Sequence, residues 1–495
     1  MNVILIISDT FRRDCVSCYG APSWVRNFKT GIERLHTPHL TQFAKRALIF
    51  ENAYLASFPT VLARHDILTG RYTWTYKDWS PLDGEQVTLQ ETLNKSGIFT
   101  GLVADTPYPF APGFNYQRGF QTWDVMRGQD DDWKGDPVDP LLPADARKLR
   151  DPETSLKQYL RNVSHRHWEE DYFPARTMRE AARWLERNHK RAPFFLYVDT
   201  FDPHEPWDPP QYYADLYDPG YTGERVIHPA YGHCDYLSDA ELRQCQALYS
   251  GEITLVDRWF GYLLDRIDSL GLMGNTAVIF VSDHGFYFGE HGYIGKSIIT
   301  PEFQQPLALY PEVARVPLLV YLPGIVGGSR TSSLAQTVDL MPTICELLGA
   351  PVPEAVQSTS LVPILQGKGE VAREFVVCSP TISHANLRIP HPTVRSSVYT
   401  PEWLLVYGAQ VDPSEADRSM FQEQTRMVDS KIRQIKTLEP GPFRPELYYL
   451  PDDSNCRTNV LQQHRPVADR LHAQYVAFLE RTGVPERHLE FFRTL

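Results

Sequence analysis

The sequence predicts an α/β fold with a mostly parallel central sheet and helices on both faces. Short apolar runs have the character of strands buried on both sides, and they lie at residues 3–7, 98–103, 194–198, 277–281 and 316–322. Helical patterns occupy residues 89–95, 176–189 and 242–269. Because strands that alternate with helices form parallel βαβ units, this order predicts one large sheet with both faces covered.

Two regions depart from this alternation. Residues 124–170 are rich in Asp, Pro and Arg and are too long for a simple connection, so we expect an insertion that lines or covers the site. Beyond residue 370 the pattern changes to short strands at 375–378, 394–399 and 403–407 and a terminal helix at 467–481. We therefore expect a catalytic α/β domain over residues 1–370 and a smaller C-terminal α+β subdomain over residues 371–495.

The charge and the apolar content of the chain argue against nucleic acid and membrane as partners. The net charge is −12 and no long basic run occurs, which argues against nucleic-acid binding, since that depends on Lys and Arg neutralising phosphates. No apolar stretch approaches the roughly 20 residues that span a bilayer, so no membrane partner is expected. The first residues lack the basic and long apolar regions of a signal peptide, and we expect a cytoplasmic protein. The oligomeric state stays open, a homo-oligomer included.

Acids and histidines follow several of the predicted strands. Asp9 follows the first run, Asp202 and His204 lie just past the third, and Asp283 and His284 follow the fourth. Ligands of open α/β sheets bind outside the carboxyl ends of the strands. These side chains therefore mark a candidate functional site before any family is considered.

A series of motifs, in order along the chain, resembles the sulfatase family of the alkaline phosphatase superfamily. They are SDTFRRD at 8–14, CYG at 18–20, TPHL at 37–40, FENAY at 50–54, LTGRY at 68–72, SDHG at 282–285, GEHG at 289–292, GK at 295–296, RVP at 315–317, DLMPT at 339–343 and ELYYL at 446–450. The resemblance implies a sulfatase-like fold and a metal-dependent hydrolase that acts on a small anionic ester.

The expected nucleophile departs from the family pattern. A sulfatase signature begins Cys-x-Pro-Ser-Arg, and its Cys becomes formylglycine; here Thr60 stands in that place, Leu62 and Ala63 replace Pro and Ser, and Arg64 is kept. Threonine cannot become formylglycine. The chain is similar in this respect to lipoteichoic acid synthases and phosphoethanolamine transferases, which pair a nucleophilic Thr with a metal-binding Asp-His. That resemblance favours an unmodified Thr60 and a phosphate ester; phosphonate monoester hydrolases share the Asp-His pair but use formylglycine.

The resemblance also implies one divalent cation held by Asp9, Asp283 and His284, with Thr60 as a further ligand. Thr10 stands where typical sulfatases have a second Asp. Calcium prefers all-oxygen sites, so the mixed ligand set favours Mn²⁺ or Zn²⁺ over Ca²⁺. Asp9 and Asp283 as helix caps, and His284 as a structural residue, are the alternatives without function.

Other positions receive roles by the same resemblance. We expect Arg64 to clamp the anion and Lys296 to face it, and His204, in a Pro-His motif, to contact the leaving group. His291 and Asp105 are expected to bind substrate, although Asp105 stands where the family's Lys-x-His is missing. A two-zinc phosphodiesterase is disfavoured, because Asp202-x-His204 does not match the usual Asp-x-x-x-His.

The leading hypothesis is a hydrolase of a phosphate diester, phosphate monoester or phosphonate ester that forms a phosphothreonine at Thr60. One alternative is sulfate-ester hydrolysis without formylglycine. Another is a catalytically silent binding protein that keeps the fold. The presence of Asp9, Asp283, His284 and Arg64 together argues against the silent protein.

Overall fold

The computed structural model describes residues 1–135, 139–299, 304–369, 373–391, 393–411 and 444–495. Its strands are β1 Asn2–Ser8, β2 Leu48–Tyr54, β3 Ser57–Phe58, β4 Phe99–Ala104, β5 Thr122–Val125, β6 Phe194–Thr200, β7 Gly232–His233, β8 Thr276–Ser282, β9 Tyr287–Phe288, β10 Tyr293–Gly295, β11 Ser297–Ile299, β12 Gln304–Pro306, β13 Leu318–Tyr321, β14 Arg330–Gln336, β15 Val376–Pro380, β16 Arg395–Tyr399, β17 Trp403–Gly408 and β18 Glu446–Tyr449. Its α-helices are α1 Pro38–Ala44, α2 Thr60–Thr69, α3 Leu89–Lys95, α4 Lys157–Val163, α5 Phe173–Asn188, α6 Gln211–Ala214, α7 Asp239–Ser269, α8 Pro311–Ala314, α9 Leu340–Leu348, α10 Val362–Leu365, α11 Arg465–Thr482 and α12 Glu486–Leu489.

The central sheet confirms the predicted fold class. Its eight strands run in the order β14-β2-β13-β8-β1-β6-β4-β5. β1 pairs in parallel with both β6 and β8, and β4 pairs in parallel with β6 and β5. β13 is antiparallel to both β2 and β8. An apolar run does not indicate the direction of its strand. The sequence therefore could not show that the strand predicted at residues 316–322 runs antiparallel to its neighbours in the sheet.

Helices cover both faces of the sheet, as the sequence predicts. Val3, Leu5 and Ile7 of β1 belong to the hydrophobic core that includes α2, α3 and α9. Ile4 and Ile6 belong to the opposite core, which includes α1, α5 and α7. All five side chains are fully buried, because successive residues of a strand point to opposite faces and both faces are packed.

A second sheet is formed by the C-terminal strands and one short N-terminal strand. Its order is β18-β17-β16-β15-β3, and β3 pairs in parallel with β15. Buried side chains of α11 pack on this sheet. The sheet is therefore joined to the catalytic part directly before residue 60, and the division of the chain at residue 370 stays a prediction.

The insertion is tied to a later loop rather than lying free. Within its described residues, 124–135 and 139–170, the insertion contains one α-helix, α4. The Arg150 N–H donates to the His228 carbonyl at 2.9 Å, and the Ala230 N–H donates to the Lys148 carbonyl at 2.9 Å.

In the part of the chain that the structure covers, no helix combines the length and apolarity needed to cross a membrane.

Candidate functional site

The candidate site begins at the carboxyl ends of two neighbouring parallel strands. Asp9 follows β1 and Asp283 follows β8, and the last residues of these strands, Ser8 and Ser282, are register partners. Both carboxylates are completely buried. The adjacent strand ends therefore place two acids side by side.

His284 completes a group that can hold a metal ion. Ligand atoms of Asp9, Asp283 and His284 all lie within 4.8 Å of one another. His284 Nδ1 lies 3.0 Å from the Gly285 carbonyl, and we assign its proton to that hydrogen bond, which leaves the Nε2 lone pair facing the two acids. Burial lowers the pKa of His284 to about 3, so the imidazole is in the neutral form that binds metals.

The donor set fits a divalent cation. Asp9 Oδ2 is buried and makes no hydrogen bond, although it lies 2.9 Å from Arg64 Nη1. Burial, and then the charge of Asp283, raise the pKa of Asp9. Although burial opposes it, His284 and Arg64 lower the pKa of Asp283. A divalent cation held by the two carboxylates would relieve their repulsion.

Thr10 connects the two acids. Its N–H donates to Asp283 Oδ1 at 2.9 Å and its hydroxyl donates to Asp9 Oδ1 at 2.7 Å. To do so Thr10 adopts a φ of 58°, a left-handed conformation that costs a β-branched residue about 1–3 kcal/mol. The surrounding bonds hold this strained residue in place and fix the orientation of both carboxylates.

Thr60 lies beside this group at the start of α2. The helix begins at Thr60 and ends at Thr69, and Gly70 follows it with a φ of 66°. Thr60 Oγ1 lies 3.5 Å from His284 Nε2. The first N–H groups of a helix lack intrahelical partners, so α2 presents donors and the positive end of its dipole next to the hydroxyl.

Arg64 differs from its sequence-based expectation. The sequence predicts an arginine that clamps the substrate anion, but the side chain is completely buried among three carboxylates. Nη1 contacts Asp9 and Asp283, while Nε and Nη2 donate to Asp199 at 3.1 and 2.8 Å. Because its nitrogens face these acids, Arg64 is placed to position the metal-binding carboxylates.

Lys296 lies at the same site, only 6% exposed. Its Nζ is 3.5 Å from Thr10 Oγ1. Burial lowers its pKa, while the charges of Glu205, Asp9 and Asp283 oppose that shift. Lys296 therefore lies beside the metal-binding group, and the charge of Glu205 also acts on it.

His204 is buried next to Lys296. Its ring stacks on Phe201 with a centroid distance of 4.0 Å, and Nδ1 lies 2.7 Å from the Glu205 carbonyl. Burial and the nearby Lys296 charge lower its pKa well below the usual range. His204 is therefore a neutral imidazole, and with Nδ1–H donating to the carbonyl its Nε2 is an acceptor.

Asp105 supports the loop that carries His204. It accepts hydrogen bonds from the Thr177 hydroxyl at 2.6 Å, the Thr200 hydroxyl at 3.1 Å and the Phe201 N–H at 2.5 Å. The sequence predicts a substrate contact here, but both carboxylate oxygens are already engaged by the protein. Asp105 is thus placed to hold the chain after β6.

His291 lies on a neighbouring turn with a φ of 55°. Its ring stacks on Tyr310 at 4.2 Å, and Nε2 is 3.5 Å from Glu312. No contact among the described residues joins it to the metal-binding group. Its substrate-binding role stays a prediction.

Asp199 is a site residue that the motifs do not reveal. It is fully buried on β6 and holds Arg64 through two nitrogens. The signal was an acid inside the apolar strand Phe194–Thr200, which needs a buried cation as partner.

Comparisons with known proteins identify the family and the fold of the chain. The sulfatase family model matches residues 1–350. An arylsulfatase of Clostridium perfringens is 26% identical over 76% of this chain and 80% of its own length. The multifunctional alkaline phosphatase superfamily protein PehA of Trinickia caryophylli is 26% identical over 74% of this chain and 77% of its own. The phosphonate monoester hydrolase of Agrobacterium radiobacter, at 19% identity, shares the fold with a TM-score of 0.68 over 97% of this chain and 95% of that one.

Proposed function

Since the chain belongs to the sulfatase family of ester hydrolases, we propose that it cleaves a phosphate or phosphonate ester through unmodified Thr60. One observation carries this proposal: the Thr60 hydroxyl lies 3.5 Å from His284 Nε2, at the N-terminus of α2. A hydroxyl in that position can attack an anion bound between the cation site and the helix amides.

Asp9, Asp283 and His284 would hold one divalent cation, Mn²⁺ or Zn²⁺ rather than Ca²⁺, because a nitrogen ligand is present. The cation would supply Lewis acidity and make the Thr60 hydroxyl easier to deprotonate. Arg64 keeps the two carboxylates in place and balances their charge.

In the first step, Thr60 Oγ1 bonds to phosphorus, its proton goes to solvent, and the bond from phosphorus to the ester oxygen breaks. Lys296, which lies next to Thr10, would protonate the leaving alkoxide and regain a proton from water. The products of this step are the free alcohol and a phosphothreonine. The developing negative charge is stabilised by Lys296 and the first N–H groups of α2.

In the second step, water attacks the phosphorus and the bond to Thr60 Oγ1 breaks. Neutral His204 has an acceptor nitrogen that would orient this water, and the proton of the water goes to solvent. Threonine carries only one oxygen on Cβ, so the intermediate must be cleaved at phosphorus. Sulfate-ester hydrolysis by the same route is the second candidate, favoured by the similarity to an arylsulfatase.

The test is a panel of phenyl phosphate, diphenyl phosphate, the phenyl ester of methylphosphonate and phenyl sulfate, assayed with Mn²⁺, Zn²⁺ and Ca²⁺ separately. We expect turnover of at least one phosphorus ester with Mn²⁺ or Zn²⁺. Rapid acid quenching followed by peptide mass measurement should show a phosphoryl adduct on the peptide that contains Thr60. Turnover of the sulfate alone would favour the second candidate, and turnover without any adduct at saturating substrate would argue against covalent catalysis.

A further inference from the structure

A pocket that opens to solvent lies at the opposite end of helix α2 from Thr60, and we call it the Arg71 pocket. Its volume is about 590 Å³. It is lined by Thr69, Arg71, Tyr76, residues 83–87, Pro353 and Ala355. Helix α2 runs from Thr60 to Thr69, and ten helical residues rise by about 15 Å. None of these lining residues belongs to the metal-binding group, so the pocket is separate from the reacting centre.

Arg71 is the cation of this pocket, and its charge is not balanced by an acid. It forms no hydrogen bond or ion pair with any residue that the structure describes. Its guanidinium carbon lies 4.3 Å from the centre of the Tyr76 ring. Nε is buried without a partner, whereas Nη1 and Nη2 keep accessible surface. Because a half-buried guanidinium normally meets an acceptor, an anion in the pocket would supply the one that the protein does not.

Gln86 adds a second donor to the same pocket. Its Oε1 accepts a hydrogen bond from the Asp83 N–H at 3.0 Å, which fixes the orientation of the amide. The amide nitrogen of Gln86 is left without a protein partner in the described part of the chain. Arg71 and Gln86 therefore both offer N–H groups, which suits a ligand group that only accepts, such as a carboxylate.

Two acids of the pocket limit the charge that this ligand can carry. Asp83 and Glu85 also line it. Asp83 is paired with Lys77, whose Nζ lies 2.6 Å from Oδ2, whereas Glu85 is exposed. A multiply charged anion would be repelled by these carboxylates more strongly than a single carboxylate, which can also match the two terminal nitrogens of Arg71.

Part of the pocket wall is apolar. Val87, Pro353 and Ala355 line it together with Tyr76. Val87 is 43% exposed, which is unusual for a large aliphatic side chain. Small-molecule sites combine such apolar surface with a few polar groups that fix the orientation of the ligand. The pocket therefore suits an organic ligand better than an inorganic ion.

We infer that the Arg71 pocket binds a small organic monocarboxylate, with its carboxylate on Arg71 and its apolar part against Tyr76, Val87 and Pro353. The inference does not depend on the proposed function, because the ester and this ligand occupy opposite ends of helix α2. It assigns the protein a second ligand site, and the two sites can be filled at the same time.

The experiment is a calorimetric titration of the metal-loaded protein with three probes. Benzoate has one carboxylate and an apolar ring, benzyl alcohol lacks the charge, and inorganic sulfate lacks the ring. We expect benzoate to bind at least about tenfold more tightly than either of the others, the scale of a charge-assisted hydrogen bond. Removal of the metal with a chelator should leave benzoate binding unchanged, since the pocket contains none of the proposed metal ligands.

Two variants test the position of the bound benzoate. Arg71→Met removes the guanidinium, and Ala355→Trp fills the pocket while leaving Arg71 in place. Each should weaken benzoate binding by about tenfold or more and leave ester turnover near the wild-type level. Arg147→Met is the matched control and should bind as the wild type does, because Arg147 is 74% exposed and pairs with Asp145.

Three results would overturn the inference. One is the absence of benzoate binding in the wild type, and another is equal binding in the wild type, Arg71→Met and Ala355→Trp. The third is loss of benzoate binding when the metal is removed, which would place benzoate at the metal-binding group. Melting temperatures show whether each variant is folded, and Ala355→Trp remains informative if Arg71→Met is not.

Discussion

The metal-binding group and the polar cluster of the neighbouring loops are built in different ways. The metal-binding group lies at the ends of core strands, and Asp9, Asp283 and Arg64 are completely buried and linked to one another. Asp130, Arg150, Glu205 and His228 come from the insertion and later loops, and several of their buried polar atoms have no hydrogen-bond partner in the protein. The strand ends of the sheet therefore position the metal-binding group, whereas loops position the second cluster.

Removal of the Thr60 hydroxyl should have the largest effect on kcat, and this effect should be the same for every leaving group. Thr60→Ala is expected to lower kcat by about 10³-fold or more on every ester, as for other nucleophiles. The fold should persist, since only a buried hydroxyl is lost, and the melting temperature checks this. Thr60→Ser should keep part of the activity because it keeps the hydroxyl. Near-native kcat in Thr60→Ala would mean that water attacks directly.

Lys296→Ala and Arg64→Ala should both lower turnover, but only Arg64→Ala should strongly lower the free energy of unfolding. Each change to Ala is expected to lower turnover by about 10²-fold. Arg64→Ala should also lower the free energy of unfolding by about 3–5 kcal/mol, because it uncovers buried carboxylates. Native-like kinetics in both variants would contradict their placement, and denaturant titrations measure the stability difference.

The smallest effect concerns pH. The pKa of His284 is lowered to about 3 by burial, so this ligand stays neutral from neutral pH down to about pH 4. Metal affinity, measured by titration with Zn²⁺ or Mn²⁺, should therefore show no loss attributable to histidine protonation near pH 6.5. A tenfold weakening between pH 7.5 and 6, abolished in His284→Asn, would contradict this expectation.

Much of the fold could be predicted because its signals are local. Apolar runs marked β1, β6 and β8, and helix α3 has the bounds predicted for it. The strand β2 was missed, because its run Leu48–Tyr54 includes Glu51 and Asn52 and resembles a loop. Pairing of β3 with β15 joins residues far apart in the chain, which no local pattern shows.

The sequence predicts the site residues that directly follow strands. It does not predict contacts between segments that are far apart in the chain. Asp9, Asp283 and His284 follow strands, and the structure brings them together. The pairing of Arg64 with Asp199 depends on how α2 meets β6, so the sequence suggested a substrate clamp instead. Arg150 and His228 meet only through a loop-to-loop hydrogen bond, and no spacing in the sequence indicates it.

The setting of Arg64 has a consequence for the order in which ligands bind. With every group ionised, the carboxylates of Asp9, Asp199 and Asp283 carry two more charges than the Arg64 guanidinium that contacts all three. A divalent cation would cancel this surplus. In a poorly screened interior this change would remove the repulsion that an anion meets there. Metal should therefore bind first and the anionic ester second, and a chelator should abolish ester binding as well as turnover.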